Sequence, residues 1–570
     1  MTNPYINRFW KGNWDNHVSD LKTEEFDTNY INLIKPTFDE YPDRLAFEFF
    51  GKNFKFKELD RLSNQFANML YENGFRKGDI VGINLSNIPQ YIIAILGTLK
   101  AGCIVSGVSP LLSANQISYQ LNDLGSKGKR VALFTLDKIF MSDIANQVKK
   151  IHNLMLIITT KVNSFTPNSD ELIASYGNVS DISIPKYRGK TILNYSEDIQ
   201  NNYSSKELNI EIKPSDIGWI QYTGGTTGLP KGAMLTHRNR VSNFKSLKKW
   251  LKWHKGQDVM LSGFPFFHIG GLNLCEISLY LAATQLIVIN PRDTNYIIKL
   301  IDLYQPTMMA NVPSLYQLLM RKQEFKELDH SKLRLCISVA SPFPKESQIE
   351  LENIIGKNKL LEVFGMTELS PIATMNPYLG KKKLGTIGLP IQNVHLKIVD
   401  PIDETPVPLG ESGEILIKGP LVMQGYYNKP EETVNAIDED GYMHTGDIGL
   451  MDEDGYITIV DRKKDMIIVG GFKVFSTKIE DILSQHPAVG MIALIGIPNP
   501  SRPGSEIVKA FIQVRSNFRH NGTEDDLKES IINYAKKNCA PYEVPKTIEF
   551  ISNLPLTSVG KIDKKVLRNR

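Results

Sequence analysis

The sequence predicts an α/β protein: a large N-terminal domain of helix-covered sheets with a β-rich subdomain at its end, followed by a small C-terminal α/β domain. Three observations carry this. Over residues 45–290 apolar runs of strand length alternate with helical patterns, the mark of parallel strands returned by helices. Near Val394 the texture changes to short strands punctuated by Gly and Pro. After the charged run Asp461-Arg462-Lys463-Lys464-Asp465 a fresh α/β pattern continues to the end. A chain of 570 residues exceeds what one hydrophobic core usually organises. The expected domains are therefore 1–461 and 462–570, with the β-rich part at about 394–461.

In chain order, residues 80–85 (Ile-Val-Gly-Ile-Asn-Leu) read as a buried strand and 91–100 as the helix that returns from it. Residues 130–134 and 285–289 give further strands of the same body. Residues 394–399, 413–417 and 456–460 are the strands of the β-rich part. The longest apolar stretch, 277–289, is broken by Ser278, Thr284 and Gln285 and is too short to cross a bilayer.

Composition bounds the function. With 42% hydrophobic and 22% charged residues the chain is that of an ordinary globular protein. A formal net charge of +4 is small for this length and does not suit nucleic-acid binding as the main function. The four cysteines, Cys103, Cys275, Cys336 and Cys539, have no metal-like or paired spacing and read as buried free thiols of a reducing cytoplasm. The first residues, Met1-Thr2-Asn3-Pro4-Tyr5, lack the basic start and apolar run of a secretory signal. The expected location is cytoplasmic.

The richest segment is Tyr222-Thr223-Gly224-Gly225-Thr226-Thr227-Gly228-Leu229-Pro230-Lys231-Gly232. Glycines let backbone N–H groups turn towards an anion, while hydroxyls and an ammonium add donors, so the loop reads as a clamp for a phosphate chain. It is not a Walker loop, because it ends Pro-Lys-Gly where that pattern needs Gly-Lys-Ser/Thr. Four further motifs follow in order: Phe364-Gly365-Met366-Thr367-Glu368, Tyr442-Met443-His444-Thr445-Gly446-Asp447, Asp461-Arg462-Lys463-Lys464-Asp465 and Pro555-Leu556-Thr557-Ser558-Val559-Gly560-Lys561-Ile562. No G-x-S-x-G elbow or other signature of covalent catalysis is evident.

Together the five motifs resemble the adenylate-forming superfamily of acyl-CoA synthetases, acyl-AMP ligases and beetle luciferases, over nearly the whole chain. The resemblance implies that a carboxylate attacks the α-phosphorus of ATP to give acyl-AMP and pyrophosphate, and that the acyl group then passes to CoA. Catalysis of that kind rests on positioned cations and hydrogen-bond donors. By the resemblance, Thr223, Gly224, Gly225, Thr226, Thr227, Gly228 and Lys231 embrace the β- and γ-phosphates, and Thr227 and Glu368 are the candidates for Mg2+. The segment Phe364, Gly365, Met366 and Thr367 receives the nucleotide, with Phe364 stacking on adenine; Asp447 takes the ribose hydroxyls and Arg462 approaches ribose and phosphates. Lys464 matches the hinge on which the C-terminal domain turns between half-reactions. Lys561 matches the adenylation lysine, and Gly470, Gly471 and Lys473 are candidates for the CoA site.

Pro265-Phe266-Phe267-His268-Ile269-Gly270-Gly271 resembles the lining of the acyl pocket, with Phe267, His268 and Gly270 facing the acid and Val339, Ala340, Ser341 and Pro342 as the opposite wall. Many relatives carry glycine where Val339 stands, so a branched side chain there leaves chain length open. This block and the N-terminal Trp10-Lys11-Gly12-Asn13-Trp14 look most like medium- to long-chain fatty-acid CoA ligases. An aryl-acid CoA ligase, a ligase loading a separate carrier protein, a luciferase-like oxidative enzyme and an inactive nucleotide sensor stand as alternatives. The intact Lys231, Glu368, Asp447 and Lys561 argue against the last.

One stretch stands outside the motifs. Residues 244–255 as a helix place Phe244, Leu247 and Leu251 on one stripe, Lys245, Lys248, Lys249, Lys252 and Lys255 mostly on others, and Trp250 and Trp253 near the borders. A basic, tryptophan-edged helix of this kind suits weak, salt-sensitive contact with an anionic membrane surface.

Overall fold

Two mostly parallel sheets form the large body in the computed structural model, which describes the chain apart from residues 1–2, 167–181, 201, 224–228, 342, 471, 503–504, 517, 520–521 and 556–561. Among the described residues the first sheet has nine strands, in the order Leu389–Pro390, Ile372–Met375, Leu360–Gly365, Leu335–Ser338, Met308–Asn311, Val259–Ser262, Thr284–Ile287, Leu45–Phe49 and Lys52–Lys55. The second has eight: Gly425–Tyr426, Lys231–Thr236, Ile217–Thr223, Ile104–Gly107, Ile80–Asn84, Val131–Leu136, Leu154–Thr160 and Thr191–Asn194. Central pairs are parallel; antiparallel pairs lie at both edges of the first sheet and at one edge of the second, whose other edge strand, Thr191–Asn194, pairs in parallel with Leu154–Thr160. Ile80–Asn84 is buried along its whole length, as a strand covered by helices on both faces must be. The helix that returns from it, Pro89–Lys100, starts on a proline whose missing N–H costs nothing at that position.

The β-rich part is a four-stranded antiparallel sheet of His395–Val399, Gly413–Lys418, Met443–Met451 and Ile457–Arg462. Its last strand runs two residues past the expected end, because Arg462 pairs in register with Asp447. Beyond it, Val489–Pro498, Glu506–Val514 and Thr547–Phe550 form a three-stranded sheet covered by helices Ser476–Ser484 and Glu524–Asn538. Their core, with Ile467, Val474, Ile479, Leu494 and Ile531, shares no residue with the cores of the preceding chain.

The apolar run 277–289, expected to be too short to cross a bilayer, is split between the end of helix Ile269–Tyr280 and strand Thr284–Ile287. One expectation needs correction. The basic helix is His237–Trp250; it stops at Trp250, and Lys252 takes a left-handed φ of 45°. Trp250 and Trp253 are core residues, and the Trp250 indole donates to the Asn376 carbonyl at 2.9 Å. The reason is that the segment 372–376 and Trp14 pack on the flank that carries Trp250, while helices Thr23–Phe26 and Tyr30–Glu40 pack on the helix as well. Lys249 donates to Ser19 Oγ at 2.7 Å and Lys255 pairs with Glu40 at 2.7 Å. Cys103, Cys275 and Cys336 are buried and Cys539 half-buried, all as free thiols. Among the described residues no helix is long and apolar enough to cross a membrane.

Candidate active site

Parallel strands deliver loops at their carboxyl ends, and in α/β sheets ligands bind there. Three expected site segments leave the nine-stranded sheet at that edge: the loop after Val259–Ser262, the loop after Leu335–Ser338, and the end of Leu360–Gly365. The expected phosphate loop joins the antiparallel strands Ile217–Thr223 and Lys231–Thr236 of the other sheet, with Thr223 opposite Lys231 in register. The turn Thr367–Leu369, which carries Glu368, packs against both of these strands. Gly224, Gly225, Thr226, Thr227 and Gly228 lie outside the described residues.

Glu368 is buried, with 5% exposure. Its turn is fixed from several sides. A Cβ on Gly365 would lie 2.0 Å from the Pro371 carbonyl oxygen, so only glycine lets the chain double back there. The Met366 N–H donates to that same oxygen at 3.0 Å, and the Met423 N–H donates to the Glu368 carbonyl at 2.8 Å. Behind the turn the fully buried Arg240 pairs with Glu276 and donates to the Ser370 carbonyl at 2.8 Å. Tyr426 Oη donates to Glu368 Oε1 at 2.7 Å, and the Lys231 ammonium lies 5.0 Å from the Tyr426 ring centre while pairing with Glu432. Burial pushes the Glu368 carboxyl up; the Tyr426 hydrogen bond and the charges of Lys231 and Arg462 pull against it. Phe364, Gly365, Met366 and Thr367 are half-buried beside it.

A second cluster lies on the β-rich sheet. Arg462 Nε pairs with Asp447 Oδ1 at 3.0 Å across neighbouring strands. Thr445 Oγ1 accepts from the Asp447 N–H at 3.1 Å and donates to the Ile415 carbonyl at 2.7 Å, which fixes the start of this segment. Glu414 lies beneath and accepts from the Gly446 N–H at 3.2 Å and Lys463 Nζ at 2.7 Å. Burial acts to raise the Glu414 carboxyl, but the bonds from His444 and Lys463 outweigh it and hold it below the usual range. Asp447 and Arg462 thus offer a carboxylate and a half-exposed guanidinium on one rim.

On the expected acyl side, His268 ends the loop before helix Ile269–Tyr280 and caps it by accepting the Gly270 N–H at Nδ1, 3.1 Å. Asn87, in the loop after strand Ile80–Asn84 of the other sheet, clamps this loop on both sides of Pro265: its amide donates to the Phe264 carbonyl at 2.8 Å and accepts the Phe266 N–H at 2.7 Å. Phe267 and Gly270 are half-buried. Across the sheet edge Val339, Ala340 and Ser341 are half-buried as well, and Ala340 holds a left-handed φ of 77°. Glu362 secures the far end of that loop, accepting from the Phe343 N–H at 3.2 Å and from Gln348 Nε2 at 2.6 Å. Burial pushes the Glu362 carboxyl up to about 7. Pro342 lies outside the described residues.

The remaining candidates belong to the C-terminal part. Lys464 sits in the turn Lys463–Asp465, where burial and then the Arg462 charge lower its pKa. Just before the turn, the buried Asp461 accepts from Ser476 Oγ at 2.9 Å and the Thr477 N–H at 3.2 Å. Just after it, Arg568 pairs with Asp465 at 2.6 Å and donates to the Lys464 carbonyl at 3.1 Å. The Gly470 N–H donates to Ser505 Oγ at 2.8 Å, and Lys473 pairs with Asp400 of the β-rich part. Gly471 and Lys561 lie outside the described residues; the Asp563 N–H donates to the Pro555 carbonyl at 2.8 Å.

Residues 35–427 match the AMP-binding enzyme family and residues 478–561 its AMP-binding enzyme C-terminal domain. The chain belongs to the AMP-binding enzyme family. The long-chain-fatty-acid–CoA ligase of Escherichia coli O6:H1 is 33% identical over 570 residues, covering 97% of each chain. That of Bacillus subtilis strain 168 is 34% identical over 539 residues, covering 94% of this chain and 93% of its own. Among solved structures, ATP-bound MatB from Rhodopseudomonas palustris superimposes with a TM-score of 0.79 at 26% identity, over 95% of this chain and 98% of that one. The anthranilate CoA ligase AuaEII in complex with anthranoyl-AMP shares the fold, with a TM-score of 0.80 at 24% identity over 96% and 98% of the two chains.

Within this AMP-binding fold, sequence reading missed Tyr426, Glu432, Asn87, Glu362 and the Arg240–Glu276 pair. The run Asn428-Lys429-Pro430-Glu431-Glu432 does carry a helix-start signature, and a short helix, Pro430–Ala436, begins there. Nothing in that run points to Lys231, 201 residues earlier.

Proposed function

We propose that the acid activated by this ATP-dependent acid–CoA ligase is a fatty acid of medium to long chain, converted first to acyl-AMP and then to acyl-CoA, with release of pyrophosphate and AMP. The observation that carries this reading is the 33% identity, end to end, with a long-chain-fatty-acid–CoA ligase.

As the acid attacks, negative charge builds on phosphate oxygens, and donors aimed at that charge lower the barrier. Lys231 and Lys561 supply ammonium groups to the phosphates, Thr223 to Gly228 their N–H and hydroxyl groups. Phe364 to Thr367 receive the adenine side of ATP, and Asp447 and Arg462 its ribose. Phe267, His268 and Gly270 face the acid across from Val339, Ala340 and Ser341. The domain 462–570 turns at Lys464 for the second step, bringing Gly470, Gly471 and Lys473 towards CoA.

Among the described residues no group of three His, Cys, Asp or Glu side chains could hold a metal unaided. A single buried carboxylate, Glu368, beside a phosphate-binding loop fits magnesium, which keeps waters and substrate phosphates among its ligands. Glu368 and Thr227 would hold it, and when bound it would offset charge on the departing pyrophosphate.

A cytoplasmic setting agrees with the free buried thiols. Weak peripheral contact with an anionic membrane through residues 244–255 would rest on the lysines alone, since the tryptophans are internal. Binding to anionic vesicles that persists when Lys248, Lys249 and Lys252 are replaced by Glu would remove that part of the proposal.

The test of the substrate is a panel of short, medium and long fatty acids and aryl acids, scored for AMP release with CoA or with a carrier protein as acceptor. The proposal requires the longer fatty acids with CoA to win. Preference for an aryl acid, or for the carrier protein, would overturn it.

A further inference from the structure

We propose that Tyr426 is a positioning residue that couples the phosphate-loop lysine, Lys231, to the buried carboxylate of Glu368, so that the two act on ATP and its metal as one unit. This rests on the reading of Lys231 and Glu368 as ATP-facing groups.

The geometry uses both polar aspects of the phenol. An aromatic ring is negative on its face and positive at its edge. Lys231 Nζ lies 5.0 Å from the ring centre, where a cation is attracted, and the Oη donates to Glu368 Oε1 at 2.7 Å. A side chain without a hydroxyl would leave the Glu368 carboxylate buried without that bond.

The backbone holds Tyr426 where it can do this. Gly425–Tyr426 lies antiparallel on the strand that begins with Lys231, Tyr426 opposite Ala233 and Gly425 opposite Met234. The Tyr426 N–H is caught by Thr433 Oγ1 at 2.8 Å. Gly425 has a φ of 144°, and a Cβ there would meet Thr433 at 2.7 Å, so the chain can enter this strand only through glycine. The ring is thereby locked to the same strand as the lysine, while its hydroxyl crosses to the turn delivered by the other sheet. Glu432, in the helix that Thr433 belongs to, completes the cluster by pairing with Lys231.

Two variants separate the two aspects. Tyr426→Phe keeps the ring under Lys231 and removes the bond to Glu368; Tyr426→Leu removes both. Measurements are ATP binding at equilibrium with and without Mg2+, the Mg2+ dependence of acid-dependent pyrophosphate release, and the melting temperature. For Tyr426→Phe the half-activating Mg2+ concentration is expected to rise and kcat to fall, each about tenfold, with magnesium-free ATP binding within about twofold of the parent, as loss of a hydrogen bond to a charged group implies. Tyr426→Leu is expected to weaken magnesium-free ATP binding as well, by about threefold. A double-mutant cycle with Glu368→Gln should show coupling between the two positions. Parental kcat and Mg2+ dependence in Tyr426→Phe, or strict additivity in the cycle, would overturn the proposal. So would equal losses in both variants that track a fall in melting temperature. A parent enzyme that releases no pyrophosphate with any acid would instead overturn the functional reading beneath it.

Discussion

Behind Glu368 the structural ties are buried, whereas around Lys464 several are half-exposed ion pairs. The Arg240–Glu276 pair behind the Glu368 turn has both side chains at 0% exposure. The Arg568–Asp465 pair beside Lys464 has its side chains at 33% and 14%, and Arg462 in its pair with Asp447 is at 52%. A buried pair cannot be opened without stranding a charge, while a wet pair exchanges for water at little cost. The surroundings of Glu368 are therefore built to stay in place. Those of Lys464, the proposed hinge, are built from contacts that can be remade, apart from the buried Asp461.

That contrast can be broken by substitution. Arg240→Leu strands Glu276 in the core and is expected to cost ~3–5 kcal/mol, seen as a large fall in melting temperature together with loss of adenylation. Glu362 gives the next effect, through pH. Its carboxyl is raised from 4.5 to about 7 by burial, so the folded protein holds a proton that the unfolded chain releases between those values. The stabilising contribution is therefore full below about pH 4.5 and lost as pH rises through about 7, a difference of about 3 kcal/mol. Comparing melting temperature against pH, Glu362→Gln should lack that decline. In contrast Arg568→Ala, beside Lys464, should cost under ~1 kcal/mol. Smallest of all, Glu432→Gln frees Lys231 from a competing carboxylate and should lower the KM for ATP by about two- to fivefold in steady-state kinetics. If Arg568→Ala destabilised as much as Arg240→Leu, the distinction between the two sides would fall.

Much of the fold was legible because it is periodic: Ile80–Asn84, Val131–Leu136 and the β-rich strands announce themselves by apolar runs of strand length. The site was legible where it comes as contiguous motifs, so Glu368, Asp447, Arg462 and Lys231 could be named and are found in two clusters. Tyr426 was not, because a two-residue strand leaves no pattern and its value lies in partners at positions 231 and 368. The tryptophans of the basic helix were misplaced for a related reason. A helical wheel shows which residues share a stripe, but not that Trp14 and the segment 372–376 would cover a second one.

The most direct test of a fixed side and a turning side is a single-turnover measurement of both half-reactions in Lys561→Ala and Lys464→Pro. Proline fixes φ and should restrict a turn that must change its backbone angles. Lys561→Ala should lose acyl-AMP formation by ~3–4 kcal/mol of transition-state stabilisation, the scale of removing one donor to a developing charge, yet still pass presented acyl-AMP to CoA. Lys464→Pro should do the reverse, forming acyl-AMP at the parental rate while thioester formation falls at least about tenfold. Equal loss of both steps in either variant, or parental rates for both steps in Lys464→Pro, would contradict the account.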